Sequence, residues 1–312
     1  MSAPLPPAIV LAAGLGTRLS PLTAVRAKPS VPVAGVPMVL RVLQWLASQG
    51  VPSVVLNLHH KPDTVTRIVG HGDAIGIRVR YSWEPRILGT AGGPRKALSL
   101  LGPRFFVVNG DTLTDLSLSD LERRHDRLSA DVTLAVTDNP DPSRYGGVMV
   151  GSTGFALGFR PADQQPSRHF VGVQLAESAV FQTLREGEPA ATIGGIYDTM
   201  IANDTGRIAT HDVKAAFHDI GTPADYLTAS LDIANAEGRE SLPIGERSHV
   251  QPTAVLTRTI IWDEVTISDG CRLTDCIVAD GVQLPPGTVC DHAIIVSTPD
   301  GPSFSPFSDN RH

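Results

Sequence analysis

The 312-residue chain has little cysteine, few aromatic side chains and no excess of basic residues. Its three cysteines, Cys271, Cys276 and Cys290, have spacings typical of neither a zinc site nor a disulfide framework. We therefore expect reduced thiols in a cytoplasmic protein. A formal net charge of −6 argues against a nucleic-acid or anionic-membrane partner, because both require a basic face.

Long apolar runs are also missing, since no stretch approaches the roughly 18 apolar residues of a membrane span. The N-terminus has no basic region, and its short apolar run ends in glycines, so we expect neither a signal peptide nor an anchor. A hydrophobic fraction of 42% is ordinary for a globular protein. This length predicts one large domain or two unequal ones.

The most informative segment is an apolar run, 8–13, that leads into Gly14-Leu15-Gly16-Thr17-Arg18-Leu19 and later Lys28-Pro29. Glycines after a buried strand let backbone N–H groups point at oxyanions, and two cations would add charge, so the pattern predicts a phosphate loop. A dinucleotide fingerprint fails because Leu19 replaces its third glycine, and a P-loop fails because Thr17-Arg18 follows Gly16. The alternative is a plain strand-to-helix turn.

Short apolar runs at 8–13, 54–58, 105–108 and 132–136 predict buried parallel strands, and residues 39–49 form an amphipathic helical pattern that ends at Gly50. The alternation predicts an α/β fold, a three-layer sandwich with a mostly parallel sheet. Ligands of such Rossmann-like folds bind outside the carboxyl ends of the strands. The catalytic domain is expected over 1–240.

Residues 248–298 change to a six-residue rhythm with Asp-Gly and Pro-Gly turns, which predicts about two hexapeptide coils of a left-handed parallel β-helix. An ordinary small β-sheet extension is the alternative. So short a solenoid cannot bury its own core, so it should pack on the catalytic domain or on another subunit, giving a homo-oligomer. A flexible tail is expected over 299–312.

Two aspartates are candidate metal ligands. Asp111 ends a buried strand, and Asp219 precedes a Gly-Thr-Pro turn and a helix that begins near Ala224. Carboxylates are ligands that Mg²⁺ prefers. The structural alternatives are a turn aspartate and a helix-capping residue.

The motif L-A-A-G-L-G-T-R-L, with Pro21 and then Lys28-Pro29, resembles the signature of the sugar-1-phosphate nucleotidyltransferases, and Asp219 before Gly-Thr-Pro is similar to their second metal position. The segments around them look closest to bacterial mannose-1-phosphate guanylyltransferase-like members. The resemblance covers about residues 8–235. It implies catalytic roles for Arg18, Lys28, Asp111 and Asp219, with Mg²⁺ on the two aspartates.

The resemblance also implies a set of nucleotide-binding residues. These are Leu11, Ala13, Gly14, Gly16, Thr17, Glu84, Gly89, Thr90, Asn109 and Gly110. Glu84 stands where a neutral Gln is usual, and a carboxylate accepts from the N1–H and N2–H₂ donors of guanine. This favours GTP, whereas the alternative is a solvated surface charge.

On the sugar side the resemblance implies contacts from Gly147, Arg160 and Gly172. Arg160 takes the place of the family lysine, and the two side chains differ in reach and geometry. The implied reaction is attack of a sugar 1-phosphate on the α-phosphorus of an NTP, which releases pyrophosphate.

Three alternatives remain from the sequence: UTP or dTTP as the donor, a non-catalytic regulatory paralogue that binds nucleotide-sugar, and a dinucleotide-dependent oxidoreductase. Related sugars such as heptose, glucose or N-acetylmuramate phosphates stay open as well. The Leu19 position disfavours the oxidoreductase.

Overall fold

The structure, a computed structural model, describes residues 4–162 and 167–307. The α-helices in chain order are α1 (Leu22–Val25), α2 (Met38–Ser48), α3 (Pro62–Val69), α4 (Gly89–Ala97), α5 (Leu118–Leu128), α6 (Ser178–Gln182), α7 (Tyr197–Ala202) and α8 (Pro223–Ala236). None of these helices of the described residues has both the length and the apolar character that a bilayer crossing requires.

The strands divide into those before and those after α8. The first group is β1 (Ala8–Leu11), β2 (Pro32–Val33), β3 (Val36–Pro37), β4 (Ser53–Leu58), β5 (Arg78–Trp83), β6 (Arg104–Asn109), β7 (Thr112–Thr114), β8 (Val132–Asp138), β9 (Gly147–Val150), β10 (Ala156–Arg160), β11 (Arg168–Glu177), β12 (Ile208–Asp212) and β13 (Phe217–Asp219). The second group is β14 (His249–Val250), β15 (Val255–Thr257), β16 (Ile260–Ile261), β17 (Thr266–Ile267), β18 (Arg272–Thr274), β19 (Ile277–Val278), β20 (Gln283–Leu284), β21 (Val289–Asp291), β22 (Ala293–Thr298) and β23 (Gly301–Pro306).

The central nine-stranded sheet runs in the order β10-β9-β11-β6-β1-β4-β5, with β8 beside β11 and β12 beside β8. Strands β6, β1, β4 and β5 are parallel neighbours, and the first three of them are predicted from the sequence. Strand β11 lies antiparallel to β6, and β8, the fourth predicted strand, is antiparallel to β11 and parallel to β12. Ala8, Ile9 and Val10 are all fully buried. Successive strand residues point to opposite faces, so both faces of the sheet are covered.

The chain forms two compact units whose boundary differs from the predicted domain end at residue 240. The first contains 1–14, 42–60 and 69–217, and the second contains 15–41, 61–68 and 218–312. The sheet belongs to the first unit. The glycine-loop segment belongs with the β-helix because Tyr226 Oη donates to the carbonyl of Pro32 (2.5 Å) and accepts from Trp262 Nε1 (2.9 Å).

The C-terminal part of the second unit is a parallel β-helix, as the repeat predicts. Three small sheets, β14-β17-β20, β15-β18-β21 and β16-β19-β22, form its sides. Paired residues such as His249, Thr266 and Gln283 recur every 17 positions. Each coil therefore has two six-residue sides and one five-residue side.

Two details of the prediction are wrong. Each side holds three strands, so the β-helix has three coils rather than about two. The expected flexible tail is in part a strand: β23 pairs antiparallel with β22 from Gly301 to Pro306. Residues 308–312 lie outside the described part of the chain. All three cysteines are free thiols, and burial raises the pKa of Cys276 to about 12.

Arg26 fastens the glycine-loop segment to the β-helix. Its guanidinium donates to Asp280 at 2.6 Å and 2.7 Å and to Asp263 at 2.5 Å, and it lies 5.3 Å from the centre of the Trp262 ring. Burial lowers the pKa of Arg26, but the hydrogen bonds to Asp280 and Asp263 outweigh that effect, so the pKa is raised overall. The guanidinium therefore stays charged beside the two carboxylates and the Trp262 ring.

We expect Arg26→Ala to lower the free energy of unfolding by about 2 kcal/mol, because two partly buried carboxylates lose their cation. Urea denaturation measures this loss. Arg67→Ala is the matched control: that side chain is 79% exposed, so its removal should cost less than about 0.5 kcal/mol. Equal losses for the two variants would show that Arg26 is not an anchor.

Candidate active site

The carboxyl ends of three parallel strands meet at one edge of the sheet. Leu11, at the end of β1, pairs in register with Asn57 on one side and Asn109 on the other. Gly110, which follows β6, lies against the end of β1, and its amide donates to the carbonyl of Leu11 (3.0 Å). A Cβ at Gly110 would lie 2.5 Å from that oxygen, so the position requires glycine.

Glu84 points into the protein rather than towards a ligand. The side chain is fully buried. Its Oε1 accepts from Asn57 Nδ2 (2.8 Å), and its Oε2 accepts from the amide of Leu88 (2.9 Å). The expectation that this carboxylate faces guanine is therefore corrected, because both oxygens are already engaged. The solvated-charge alternative is wrong because the side chain is buried.

Gly89 and Thr90, which are predicted nucleotide-binding residues, begin α4 and are exposed. The segment 190–192 lies across them. A Cβ at Gly89 would lie 2.7 Å from the carbonyl oxygen of Ala190, and Thr90 Oγ1 accepts from the amide of Thr192 (2.9 Å). The Thr90 hydroxyl therefore holds the segment 190–192 against the start of α4. No sequence pattern indicates this contact.

Asp111 lies at the turn between β6 and β7 and is half-buried. Gly172 approaches this turn in the left-handed conformation (φ 81°), and a Cβ there would lie 2.5 Å from Thr112 Oγ1 and 3.0 Å from Asn109 Nδ2. The structure thus brings two predicted residues, Asn109 and Gly172, beside the carboxylate turn.

The predicted sugar-side residues lie on β9 and β10. A Cβ at Gly147 would lie 2.2 Å from the Ser167 side chain, so the chain passes close to this glycine. Arg160 ends β10, the strand that pairs with β9. The neighbouring Tyr145 ring lies 4.7 Å from that of His169, and burial lowers the pKa of this histidine.

The glycine loop itself continues in the second unit. Ala13 is buried, whereas Gly14, Thr17 and Arg18 are exposed. Gly16 adopts a left-handed conformation (φ 64°), and a Cβ there would lie 2.8 Å from Thr23 Cγ2 and 3.0 Å from Lys28 Cβ. The loop therefore folds tightly against Lys28, the second predicted cation.

Arg18 lies beside the turn that follows Asp219. A Cβ at Gly221 would lie 2.9 Å from Arg18 Nη1. Asp219 is half-buried and does not cap α8, because Thr222 accepts from the amide of Asp225 (3.2 Å) and Asp225 Oδ2 accepts from the amide of Thr222 (2.9 Å). Asp111 and Asp219 belong to different units, so their pairing on one metal stays a prediction.

Comparisons with known proteins find relatives over most of the chain. Residues 7–236 match the family described as Nucleotidyl transferase, and residues 226–293 match the GlmU-like C-terminal hexapeptide. The mannose-1-phosphate guanylyltransferase of Mycobacterium tuberculosis is 29% identical over 296 residues, which are 91% of this chain and 82% of that protein. The mannose-1-phosphate guanyltransferase of Emericella nidulans is also 29% identical, over 93% of this chain and 85% of its own.

Among solved structures, HddC from Yersinia pseudotuberculosis, in a crystal structure titled as a complex with GMP-PN, matches with a TM-score of 0.63 and 24% identity. The match covers 73% of this chain and all of that chain, and it shows a shared fold.

Gly14 and Gly16 differ in the room that a side chain would have. A Cβ at Gly14 would have no neighbour within 4 Å, whereas Gly16 is left-handed and crowded. We expect Gly16→Ala to lower the free energy of unfolding by about 1 to 2 kcal/mol, and Gly14→Ala to leave it within about 0.5 kcal/mol of the parent. Chemical denaturation of both variants checks this, and equal effects would contradict the described loop.

Proposed function

Because the chain belongs to the nucleotidyl transferase family, we propose that it transfers a nucleotidyl group from an NTP to a sugar 1-phosphate and releases pyrophosphate. The main support is the loop geometry, in which Gly16 packs on Lys28 while Arg18 is exposed beside the Asp219 turn. Such a loop offers backbone N–H groups and two cations to a polyphosphate. GTP and mannose 1-phosphate are the favoured pair on the names of the relatives.

The proposed chemistry needs no general base, because the attacking phosphate oxygen is already ionised. Catalysis then consists of alignment and charge neutralisation. The open surface at Gly14 admits the triphosphate to the backbone, and Arg18 binds its outer oxygens. Lys28 binds the phosphates close to the point of attack.

Nucleotidyltransferases of this family generally use a divalent metal, and we assign Mg²⁺ to Asp111 and Asp219. The donors fit, because both are half-buried carboxylates, one in a turn and one at the end of a strand, and hard oxygen ligands suit this ion. When bound, the metal supplies positive charge to the α-phosphate and neighbouring oxygens.

The acceptor sugar is assigned to the side of Gly147, Arg160 and Gly172. The approach of Gly172 to Asn109 and Thr112 supports this for one of the three residues, since both neighbours flank the Asp111 turn. Arg160 can bind the sugar phosphate with two parallel hydrogen bonds in place of lysine. A cytoplasmic location and assembly through the β-helix complete the proposal.

Pyrophosphate release should be measured with Mg²⁺ over GTP, UTP, dTTP, CTP and ATP against mannose, glucose, N-acetylglucosamine, heptose and N-acetylmuramate 1-phosphates. We expect turnover with GTP and mannose 1-phosphate. Turnover only with UTP or dTTP would correct the nucleotide, and another sugar would correct the acceptor. Silence across the matrix from folded protein that binds a nucleotide-sugar would favour the regulatory alternative.

We expect Asp111→Asn and Asp219→Asn each to lower kcat by about 100-fold or more, because each removes a charge at the transferred phosphate. Both variants should still fold and bind nucleotide. Asp204→Asn is the matched control: the residue is exposed, and asparagine tolerates its left-handed conformation, so turnover should be unchanged. Full activity in either site variant would refute the metal assignment.

A further inference from the structure

We propose that Asn57 and Glu84 form a buried polar relay that positions the nucleotide-binding loops, an inference that rests on the proposed function. The relay has three hydrogen bonds. The Ala12 amide donates to Asn57 Oδ1 (2.7 Å), Asn57 Nδ2 donates to Glu84 Oε1 (2.8 Å), and the Leu88 amide donates to Glu84 Oε2 (2.9 Å).

Each end of the relay holds the backbone just before a predicted binding segment. Ala12 is two residues before Gly14, and Leu88 is followed directly by Gly89 and α4. The relay therefore fixes the spacing between the start of the glycine loop and the start of α4. Asn57 and Glu84 act through the backbone and are positioning residues.

The donors and acceptors of the relay can be arranged in only one direction. An ionised carboxylate only accepts hydrogen bonds, so Glu84 can serve both the Leu88 amide and the Asn57 carboxamide. That fixes Asn57 with its NH₂ towards Glu84 and its oxygen towards Ala12. A glutamine at position 84 would offer one donor and one acceptor, and some N–H group in the relay would face another N–H group.

The surroundings leave the relay little freedom to adjust. Glu84 is fully buried and Asn57 is 3% exposed. Helix α4 passes directly over both, since a Cβ at Gly93 would lie 2.7 Å from Asn57 Nδ2 and 2.8 Å from Glu84 Oε1. A buried polar group that loses its partner costs much more than an exposed one.

The contacts of this carboxylate within residues 4–162 and 167–307 come from an amide and a carboxamide, without a cationic hydrogen-bond donor. Burial of a charge without a cation is unfavourable for stability. A neutral apolar pair would avoid that cost but would leave both loop amides without acceptors. The hydrogen bonds to the amides of Ala12 and Leu88 therefore explain why this polar pair is buried here.

The test is a reversal of the relay's polarity in the double variant N57D/E84Q. The new carboxylate at position 57 can accept from the Ala12 amide and from the new carboxamide NH₂ at position 84, while the carboxamide oxygen accepts from the Leu88 amide. All three hydrogen bonds and the net charge are then restored. Each single variant breaks the pattern: Glu84→Gln opposes two donors, and Asn57→Asp opposes two carboxylates.

Equilibrium binding of GTP and steady-state turnover should be measured for the parent, both single variants and the double variant. We expect Glu84→Gln to weaken GTP binding about tenfold, the factor that corresponds to about 1.4 kcal/mol, with a higher KM and a smaller change in kcat. The double variant should return to within about threefold of the parent.

Asn57→Asp gives an independent readout. Its two facing carboxylates favour uptake of a proton, which lets one oxygen donate to the other. The defect in GTP binding should therefore shrink as pH falls, whereas the double variant should keep the pH dependence of the parent. A general loss of packing would produce neither that pH trend nor the rescue.

The exchange N235D/E240Q makes the same two chemical changes at exposed positions and should alter nothing. Parent-like GTP binding by Glu84→Gln, or a double variant no better than the single variants, would overturn the relay while the proposed function stands. A parent protein that binds no nucleoside triphosphate would instead overturn the proposed function, and the relay's role with it.

Discussion

The amide of Ala12 is the constraint on which the candidate site depends. It is the first amide past β1, and the Asn57 side chain, rather than a neighbouring strand, accepts its hydrogen bond at 2.7 Å. On the other side of the strand, the Gly110 amide holds the Leu11 carbonyl. The glycine loop therefore leaves the sheet from a point that is fixed by both neighbouring strands.

The second unit applies a comparable constraint further along the loop. Arg26 lies between the two predicted cationic residues, Arg18 and Lys28, and its own charge is committed to Asp263 and Asp280 of the β-helix. The β-helix thus supports the segment that carries the two side chains proposed to bind phosphate. The short β-helix buries apolar side chains outside its interior as well as inside it. On one of its sides the outward-facing residues Ile260, Ile277 and Ile294 are almost fully buried.

Periodicity and strand-end motifs are enough to predict strands β1, β4, β6 and β8, helix α2 and the repeat, because each depends on local sequence. The number of coils is underestimated for a physical reason. Glycine marks left-handed corners at Gly270 and Gly281, but equivalent corners at Arg258, Asp275 and His292 carry side chains (φ 48° to 50°). Ion pairs such as Arg258 with Asp275, at 2.6 Å, stabilise these corners and give no turn signal in the sequence.

The direction of Glu84 cannot be predicted from the sequence, because it depends on partners distant along the chain. Hydrophobicity even suggests the reverse: Trp83 is 50% exposed, whereas Glu84 is fully buried. This changes how base selection must work. A carboxylate that faced guanine would alter the preference among nucleotides when replaced. A carboxylate that holds the Leu88 and Asn57 groups sets a backbone spacing that all nucleotides share, so its replacement should weaken them alike, and the preference must arise from groups on the outward side of this turn.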